Sequence, residues 1–270
     1  MNNDRPQIAL LYDFDKTLST HDMQDYAFIP SLGQEPEAFW ARAHEHADQV
    51  GMDGILGYMY AMMREAKRAG KPIRRQDLAA MGRSVVLFPG VLEWFDRIRE
   101  EGALLGLDIR HYIVSSGIRE IIMGTPIARH FDRVYACEFH YDENGEADWP
   151  ANAINYTGKT QYLFRVNKGV LDITNTVDLN RYTPEHERPV PFPHMIFFGD
   201  GLTDIPIMRL TRKNGGRSLA VYTDRDAVLP LLLEGRVDAI VPADYSQGGE
   251  LDRFVIGRLQ EIAVSLKEAP

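Results

Sequence analysis

Two apolar segments that each end on an acidic residue constrain the fold of this chain more than any other feature. Residues 8–12 are an unbroken apolar run followed at once by Asp13, and residues 195–198 are a second run that reaches Asp200 after one glycine. Runs of this kind are typical of strands covered on both faces of a parallel sheet. Helical patterns alternate with the predicted strands, so the sequence predicts an α/β protein with a Rossmann-like parallel sheet.

The first acidic segment carries two carboxylates one residue apart, Asp13 and Asp15. Because residues i and i+2 of a strand point to the same face, both side chains can project from the end of this strand. Neighbouring carboxylates repel each other unless a cation or a shared proton holds them, and oxygen ligands of this kind suit Mg²⁺. A strand followed by a helix with an Asp or Thr N-cap explains this segment equally well on its own.

Composition and charge exclude several classes of protein. With 270 residues the chain is long enough for one large domain or for a core with an insertion. The net charge of −9 argues against a nucleic-acid partner, and the single cysteine, Cys137, can form neither an internal disulfide nor a cysteine zinc site. No uncharged apolar run approaches the roughly 20 residues of a membrane helix. The first residues show no secretory pattern, so we expect a cytoplasmic protein without a membrane partner.

Residues 20–84 differ in pattern from the rest of the chain. Apolar residues recur there at helical spacing in three segments, with glycines between them and no strand pattern. We therefore expect an all-helical domain of residues 20–84 that is inserted into an α/β core of residues 1–19 and 85–270.

The second predicted strand, residues 111–117, ends in Ser115, Ser116 and Gly117, and a helical pattern follows it. A strand, a Ser/Gly turn and a helix N-terminus can bind an anion, because free backbone N–H groups and the helix dipole favour negative charge there. Taken alone, the segment is explained more simply by a serine N-cap.

The remaining candidates are a lysine and the second acidic segment. Lys159 stands at the start of a predicted helix, where a lysine taken alone is more simply a surface residue. Asp200 has a glycine on either side, Gly201 being the second, and glycines let the backbone approach a ligand closely. Asp204 comes four residues later, near the start of the next helix, from which it would face the strand end.

The carboxyl ends of parallel strands share one edge of a sheet, and ligands bind at that edge. The candidates predicted to meet there are Asp13, Asp15, Ser115, Lys159, Asp200 and Asp204. Each has an ordinary structural explanation by itself. Together they complement one another as acid, hydroxyl and ammonium, which favours a single functional site.

These segments resemble the four motifs of the haloacid dehalogenase superfamily, in the same order. The matching segments are Asp-Phe-Asp-Lys-Thr-Leu at 13–18, Val-Ser-Ser-Gly at 114–117, Lys159, and Gly-Asp-Gly-Leu-Thr-Asp at 199–204. The resemblance spans roughly residues 8–225 and implies the fold of that superfamily.

The helical block and a hairpin predicted at Asn144-Gly145 resemble the phosphoserine phosphatase-like branch, which has a helical cap of the C1 type. The second motif of that branch usually reads Ser-Gly-Gly, whereas this chain has Ser115-Ser116-Gly117. The departure leaves open which serine holds the phosphate, and we choose Ser115.

The resemblance implies a Mg²⁺-dependent phosphomonoester hydrolase that acts on a small phosphorylated metabolite. It assigns Asp13 as the nucleophile that forms an aspartyl-phosphate, and Asp15 as the general acid and base. Mg²⁺ would be held by the carboxylates of Asp13 and Asp200 and by the backbone carbonyl of Asp15. An aspartate at position 15 favours a phosphatase over a dehalogenase.

The resemblance also implies how the phosphoryl group is held. Ser115, Ser116, Gly117 and Lys159 would contact it, with Lys159 stabilising charge in the transition state. Thr17, Gly201 and Asp204 would support the site: Thr17 at the turn after Asp15, and Asp204 by orienting Lys159 or a water on the metal.

Other functions stay open at this point. An aspartyl-phosphate can pass to an acceptor other than water, which would make the chain a phosphotransferase or a mutase. A protein that binds a phosphorylated metabolite without catalysis is the alternative outside the enzymes. The substrate, the acceptor and the oligomeric state are left open by the sequence.

Overall fold

The computed structural model describes residues 5–268, and a seven-stranded sheet forms its centre. The strands are β1 (Gln7–Tyr12), β2 (Asp108–Ile118), β3 (Arg133–Tyr141), β4 (Ala147–Asn152), β5 (Met195–Gly199), β6 (Arg217–Tyr222) and β7 (Ala239–Pro242). Their order across the sheet is β4-β3-β2-β1-β5-β6-β7, and every neighbouring pair is parallel except the β3–β4 hairpin. The predicted α/β class with a mostly parallel sheet is confirmed.

Helices fill the connections between the strands. Those between β1 and β2 are α1 (Met23–Tyr26), α2 (Phe28–Ser31), α3 (Pro36–Val50), α4 (Gly54–Arg68), α5 (Arg75–Met81) and α6 (Val91–Leu104). Those that follow are α7 (Arg119–Met123), α8 (Thr160–Lys168), α9 (Thr176–Asn180), α10 (Ile205–Lys213), α11 (Arg225–Leu233) and α12 (Glu250–Glu268). Within residues 5–268, no helix combines the length and the hydropathy that crossing a bilayer requires.

The central strand β1 positions the acidic edge. Five of its six side chains are fully buried, because β2 and β5 flank it and helices cover both faces. The register pairs Tyr12 with Phe198, and the Asp13 N–H continues the pairing by donating to the Phe198 carbonyl at 2.8 Å. Asp13 therefore lies beside Gly199, one residue from Asp200.

Helices alone make up the regular structure of the block at residues 23–81, as its spacing predicts. Phe39, Met59 and Met62 are buried in the core, so these apolar residues hold the helices together. The division into a core of 1–19 and 85–270 and a domain of 20–84 stays a prediction, and residues 1–4 and 269–270 lie outside the described part.

The structure adds detail to two connections, the hairpin after β3 and the segment before β5. The predicted hairpin forms, with Gly145 at a φ of 74°, a value that glycine adopts without strain. Strand β3 extends from Arg133 to Tyr141 because its second half pairs with β4. The polar, proline-rich region from 172 to 193 contains the short helix α9, whose N-terminus is capped by the Asn175 side chain.

A buried polar network lies next to the acidic edge. The Tyr12 hydroxyl accepts a hydrogen bond from Trp94 Nε1 at 2.9 Å and lies 3.1 Å from His111 Nδ1. Because an indole only donates, the tyrosine proton is left to donate to His111 Nδ1. Burial lowers the pKa of His111, which keeps the ring neutral and able to accept that proton.

We expect Tyr12→Phe to destabilise the fold, because it leaves the Trp94 N–H and His111 Nδ1 buried without their partner. The free energy of unfolding, measured by urea denaturation, should fall by about 1–3 kcal/mol. Tyr182→Phe is the matched control, since Tyr182 is 83% exposed and its hydroxyl is not in the core. Equal losses in the two variants would contradict the network.

Candidate active site

Three carboxylates and one ammonium meet at the carboxyl end of β1. Lys159 Nζ lies 3.1 Å from Asp13 Oδ2 and 2.7 Å from Asp204 Oδ1. Asp13, Asp200 and Asp204 each offer one carboxylate oxygen, and these three oxygens lie within 4.8 Å of one another. The structure thus brings together four side chains that are far apart in the sequence and that the strand pattern placed on one edge.

The charges of this cluster do not balance. One ammonium cannot balance three ionised carboxylates in a buried place. Burial, together with the charge of Asp13, raises the pKa of Asp200 to about 7 and that of Asp204 well above its ordinary value. Burial disfavours the charged form of Lys159, but Asp13 and Asp204 outweigh that effect and raise its pKa above the usual range. The lysine is therefore charged, whereas Asp200 and Asp204 are shifted toward their neutral forms unless a further cation is bound.

A hard divalent cation fits the donor atoms of the cluster. Asp204 Oδ2 is buried and has no hydrogen-bond partner in residues 5–268, although a buried carboxylate oxygen needs one. Gly199 leaves the space that the Asp204 carboxylate occupies, because a Cβ at position 199 would collide with it. Clustered carboxylate oxygens are suitable ligands for Mg²⁺, whose charge would favour their ionised forms.

Asp15 lies at the side of the cluster, against α1. Its Oδ1 accepts a hydrogen bond from the Met23 N–H at 2.8 Å. Burial, with added repulsion from Asp22 and Asp13, raises the pKa of Asp15 well above its ordinary value. A carboxyl group in this state holds a proton that it can donate, which is what a general acid requires.

Two backbone positions near Asp15, Lys16 and Gly117, shape the turn that holds this acid. Lys16 adopts a φ of 55°, a left-handed conformation that is uncommon outside glycine and that turns the chain directly after the acid. A Cβ at Gly117 would overlap the Met23 side chain and lie 2.8 Å from Asp15 Oδ2. Gly117 is thus required for the close approach of β2 to the turn. Nothing in the sequence pattern indicates the conformation of Lys16.

The two serines of β2 differ in what their hydroxyl groups contact. Ser116 Oγ donates to the Ile154 carbonyl at 2.7 Å, so its proton is used within the fold. Ser115 Oγ accepts from the Gly117 N–H at 3.0 Å, and its own proton has no acceptor in the described part of the chain. Both serines line the cleft, but Ser115 has the donor that an anion could accept.

Thr17 and Gly201 act mainly through their backbones. The Thr17 N–H donates to the Phe14 carbonyl at 3.3 Å, and its carbonyl accepts from the Tyr245 hydroxyl at 2.9 Å. The Gly201 carbonyl accepts from the Asp204 N–H at 3.0 Å, which closes the turn that aims Asp204 at the cluster. The contribution of Tyr245 has no signal in the sequence, because it comes from a residue 228 positions away.

A cleft of about 610 Å³ opens above the cluster. Asp13, Asp15, Ser115 and Asp200 line it from the sheet, and Gln24, Asp25, Trp40, His44 and Tyr58 line it from the helices of the 23–81 block. Lys159 is fully buried and contacts Asp13 and Asp204 beneath the cleft. Its contact with a phosphoryl group stays a prediction.

The fold agrees with the comparison to known families. The family model for haloacid dehalogenase-like hydrolases matches residues 10–209, well over half of the chain. The chain therefore belongs to the haloacid dehalogenase-like hydrolases.

Individual proteins that are similar to this chain share a small part of its sequence. A protein from Borreliella burgdorferi, named only as an uncharacterized protein, is 27% identical over 96% of this chain and 99% of its own length. A haloacid dehalogenase family hydrolase from Salmonella enterica serovar Typhi is 14% identical, with a TM-score of 0.62 over 94% of this chain and 72% of its own. A substrate-bound phosphoserine phosphatase is 15% identical, with a TM-score of 0.57 over 89% and 96%. The expected likeness to phosphoserine phosphatases is confirmed for the fold.

We expect Lys159→Met to destabilise the protein strongly, because it leaves Asp13 and Asp204 buried without their ammonium. Urea denaturation without added metal should show a loss of about 3–5 kcal/mol. Lys213→Met, at an exposed position, is the control and should be close to neutral.

A second substitution tests the cause of that loss. Adding Asp204→Asn to Lys159→Met removes one uncompensated carboxylate, so the double variant should be more stable than the sum of the two single losses. Strict additivity would contradict an ion pair between Lys159 and Asp204.

Proposed function

We propose that this hydrolase is a Mg²⁺-dependent phosphatase that acts on a small phosphorylated metabolite through an aspartyl-phosphate on Asp13. The observation that carries the proposal is the position of Asp13 at the floor of the cleft, in one cluster with Asp200, Asp204 and Lys159. Membership of the hydrolase family and the fold shared with a phosphoserine phosphatase support it.

Asp13 is held for attack in this proposal. Its Oδ1 accepts from the Phe14 N–H at 2.7 Å, and Lys159 lies against its Oδ2. These contacts restrict the side chain to one orientation, which lowers the entropic cost of orienting it for attack on phosphorus. An oxygen of Asp13 would form the bond to phosphorus while the bond to the leaving oxygen breaks.

Asp15 handles the proton. Its raised pKa leaves a proton on the carboxyl group, which it would donate to the leaving alcohol. Once deprotonated, the same carboxylate would take a proton from the water that attacks the aspartyl-phosphate. The Met23 N–H keeps the group in place through both steps.

The remaining residues would bind the phosphoryl group and the metal. Asp13, Asp200 and the backbone carbonyl of Asp15 would hold Mg²⁺, which when bound neutralises the repulsion between nucleophile and phosphate. The hydroxyl of Ser115, with the neighbouring Ser116 and Gly117, would hold phosphoryl oxygens. Asp204 would orient Lys159, with Thr17 and Gly201 supporting the turns.

We also propose that residues 20–84 act as a cap and that the protein works in the cytoplasm. The contact of α1 with Asp15, and the side chains of α3 and α4 in the cleft, support the cap. A single buried cysteine with a free thiol suits a reducing compartment.

We expect the protein to hydrolyse p-nitrophenyl phosphate with Mg²⁺ and Asp13→Asn to lose more than about a thousandfold in kcat, because the amide is no nucleophile. The control is Asp48→Asn, an exposed acid-to-amide change in α3 that should keep full activity. A rate of Asp13→Asn close to wild type would exclude this residue as the nucleophile.

The reaction products distinguish hydrolysis from phosphoryl transfer to another acceptor. Added alcohols should not change the yield of inorganic phosphate if water is the acceptor, whereas phosphorylated alcohol would identify a phosphotransferase. Binding of phosphate esters without turnover of any of them would identify a binding protein.

We expect Asp200→Asn to weaken Mg²⁺ binding, because it removes one of the charges that hold the ion. Calorimetric titration without substrate should show a dissociation constant at least about tenfold higher than wild type. Asp48→Asn again serves as the matched control. An unchanged affinity for Mg²⁺ would refute the metal assignment.

A further inference from the structure

The short helix α1 connects the general acid to the wall of the cleft. The Met23 N–H donates to Asp15 Oδ1 at 2.8 Å, and the Met23 sulfur accepts from the Ile118 N–H at 3.1 Å. Gln24 and Asp25 follow in the same turn and line the cleft. If Asp15 protonates the leaving oxygen, as the proposed function states, these two side chains lie beside the leaving group.

Gln24 lines the cleft with an amide whose oxygen is buried and, among the described residues, unpaired. The residue is only 2% exposed, and its Oε1 has no hydrogen-bond partner in residues 5–268. A buried amide oxygen without a donor is unfavourable, so a donor from a ligand or from water would satisfy it.

Asp25 adds a carboxylate to this wall. Its Oδ1 accepts from Trp40 Nε1 at 2.9 Å, and no salt bridge to it occurs in the described part of the chain. Burial raises the pKa of Asp25, and a cation bound beside the carboxylate would favour its ionised form. The nearby Asp22 is already paired, with Lys16 at 2.6 Å.

The remaining wall is aromatic and carries little positive charge. Trp40 packs edge-to-face on Tyr58, with ring centroids 5.7 Å apart, and stacks on His44 at 6.1 Å. Tryptophan faces attract cations. Among the described residues that line the cleft, Lys16 is the one lysine and no arginine occurs, so a carboxylate on the leaving group has no obvious partner.

We propose that the leaving alcohol of the substrate carries a protonated amine and no carboxylate, with the ammonium bound by Asp25 and Gln24 beside Trp40. This inference rests on the proposed function and narrows its substrate class to amino-alcohol phosphates. A phosphorylated amino acid would bring a carboxylate into a cleft whose wall carries Asp22 and Asp25, and is disfavoured.

A substrate series tests the inference with the wild-type protein and Mg²⁺. O-phosphoethanolamine carries the amine, 2-hydroxyethyl phosphate replaces it with a neutral hydroxyl, and O-phosphoserine adds a carboxylate. We expect kcat/KM for O-phosphoethanolamine to exceed both others by about tenfold or more, as one charged hydrogen bond predicts. Equal or lower kcat/KM for O-phosphoethanolamine would overturn the inference.

Variants locate the origin of the preference. Asp25→Asn keeps the shape and an acceptor for Trp40 but removes the charge, so the preference for the amine over the hydroxyl should fall toward unity. Gln24→Leu should lower it as well, because the amide acceptor is lost. Asp48→Asn should keep it. An undiminished preference in Asp25→Asn would contradict the assigned position of the ammonium.

Hydrolysis of p-nitrophenyl phosphate distinguishes a failure of this inference from a failure of the proposed function. Hydrolysis of p-nitrophenyl phosphate without any amine preference would overturn the inference and leave the proposed function intact. No hydrolysis of any phosphomonoester would overturn both.

Discussion

The structure depends on how a folded core accommodates several carboxylates at one edge of its sheet. Asp13, Asp200 and Asp204 have oxygens within 4.8 Å of one another, where burial opposes negative charge. Lys159 compensates one of the three charges from beneath, at 3.1 Å and 2.7 Å from its two partners. In the proposed function a divalent cation compensates the rest, and the cleft opens directly above this edge.

In the proposed function, the chemistry and the choice of substrate come from different elements of this protein. The ends of β1, β2 and β5, which are neighbouring strands of the central sheet, would supply the nucleophile, the serines and the metal ligands. Helices α1 and α3 would supply the wall that faces the leaving group. The hydrogen bonds from the Met23 N–H to Asp15 and from the Ile118 N–H to the Met23 sulfur join α1 to these strand ends, so they would connect leaving-group selection to proton transfer.

Much of the fold and the outline of the site could be predicted from the sequence. Apolar runs that end on Asp13 and Asp200 define neighbouring strands, and the ends of parallel strands meet whatever the details of packing. The burial of Lys159 could not be predicted from the residue alone, because a single lysine is usually on the surface. The unpaired amide oxygen of Gln24 and the contact of Tyr245 with Thr17 depend on tertiary packing between distant segments.

The most direct test of this account is a crystal structure of the protein grown with Mg²⁺ and beryllium fluoride, a mimic of a phosphoryl group. We expect one Mg²⁺ coordinated by Asp13 and Asp200, with the beryllium fluoride bonded to a carboxylate oxygen of Asp13 and in contact with Ser115. Metal or fluoride bound away from Asp13, or an acidic edge that binds neither, would contradict the central claim.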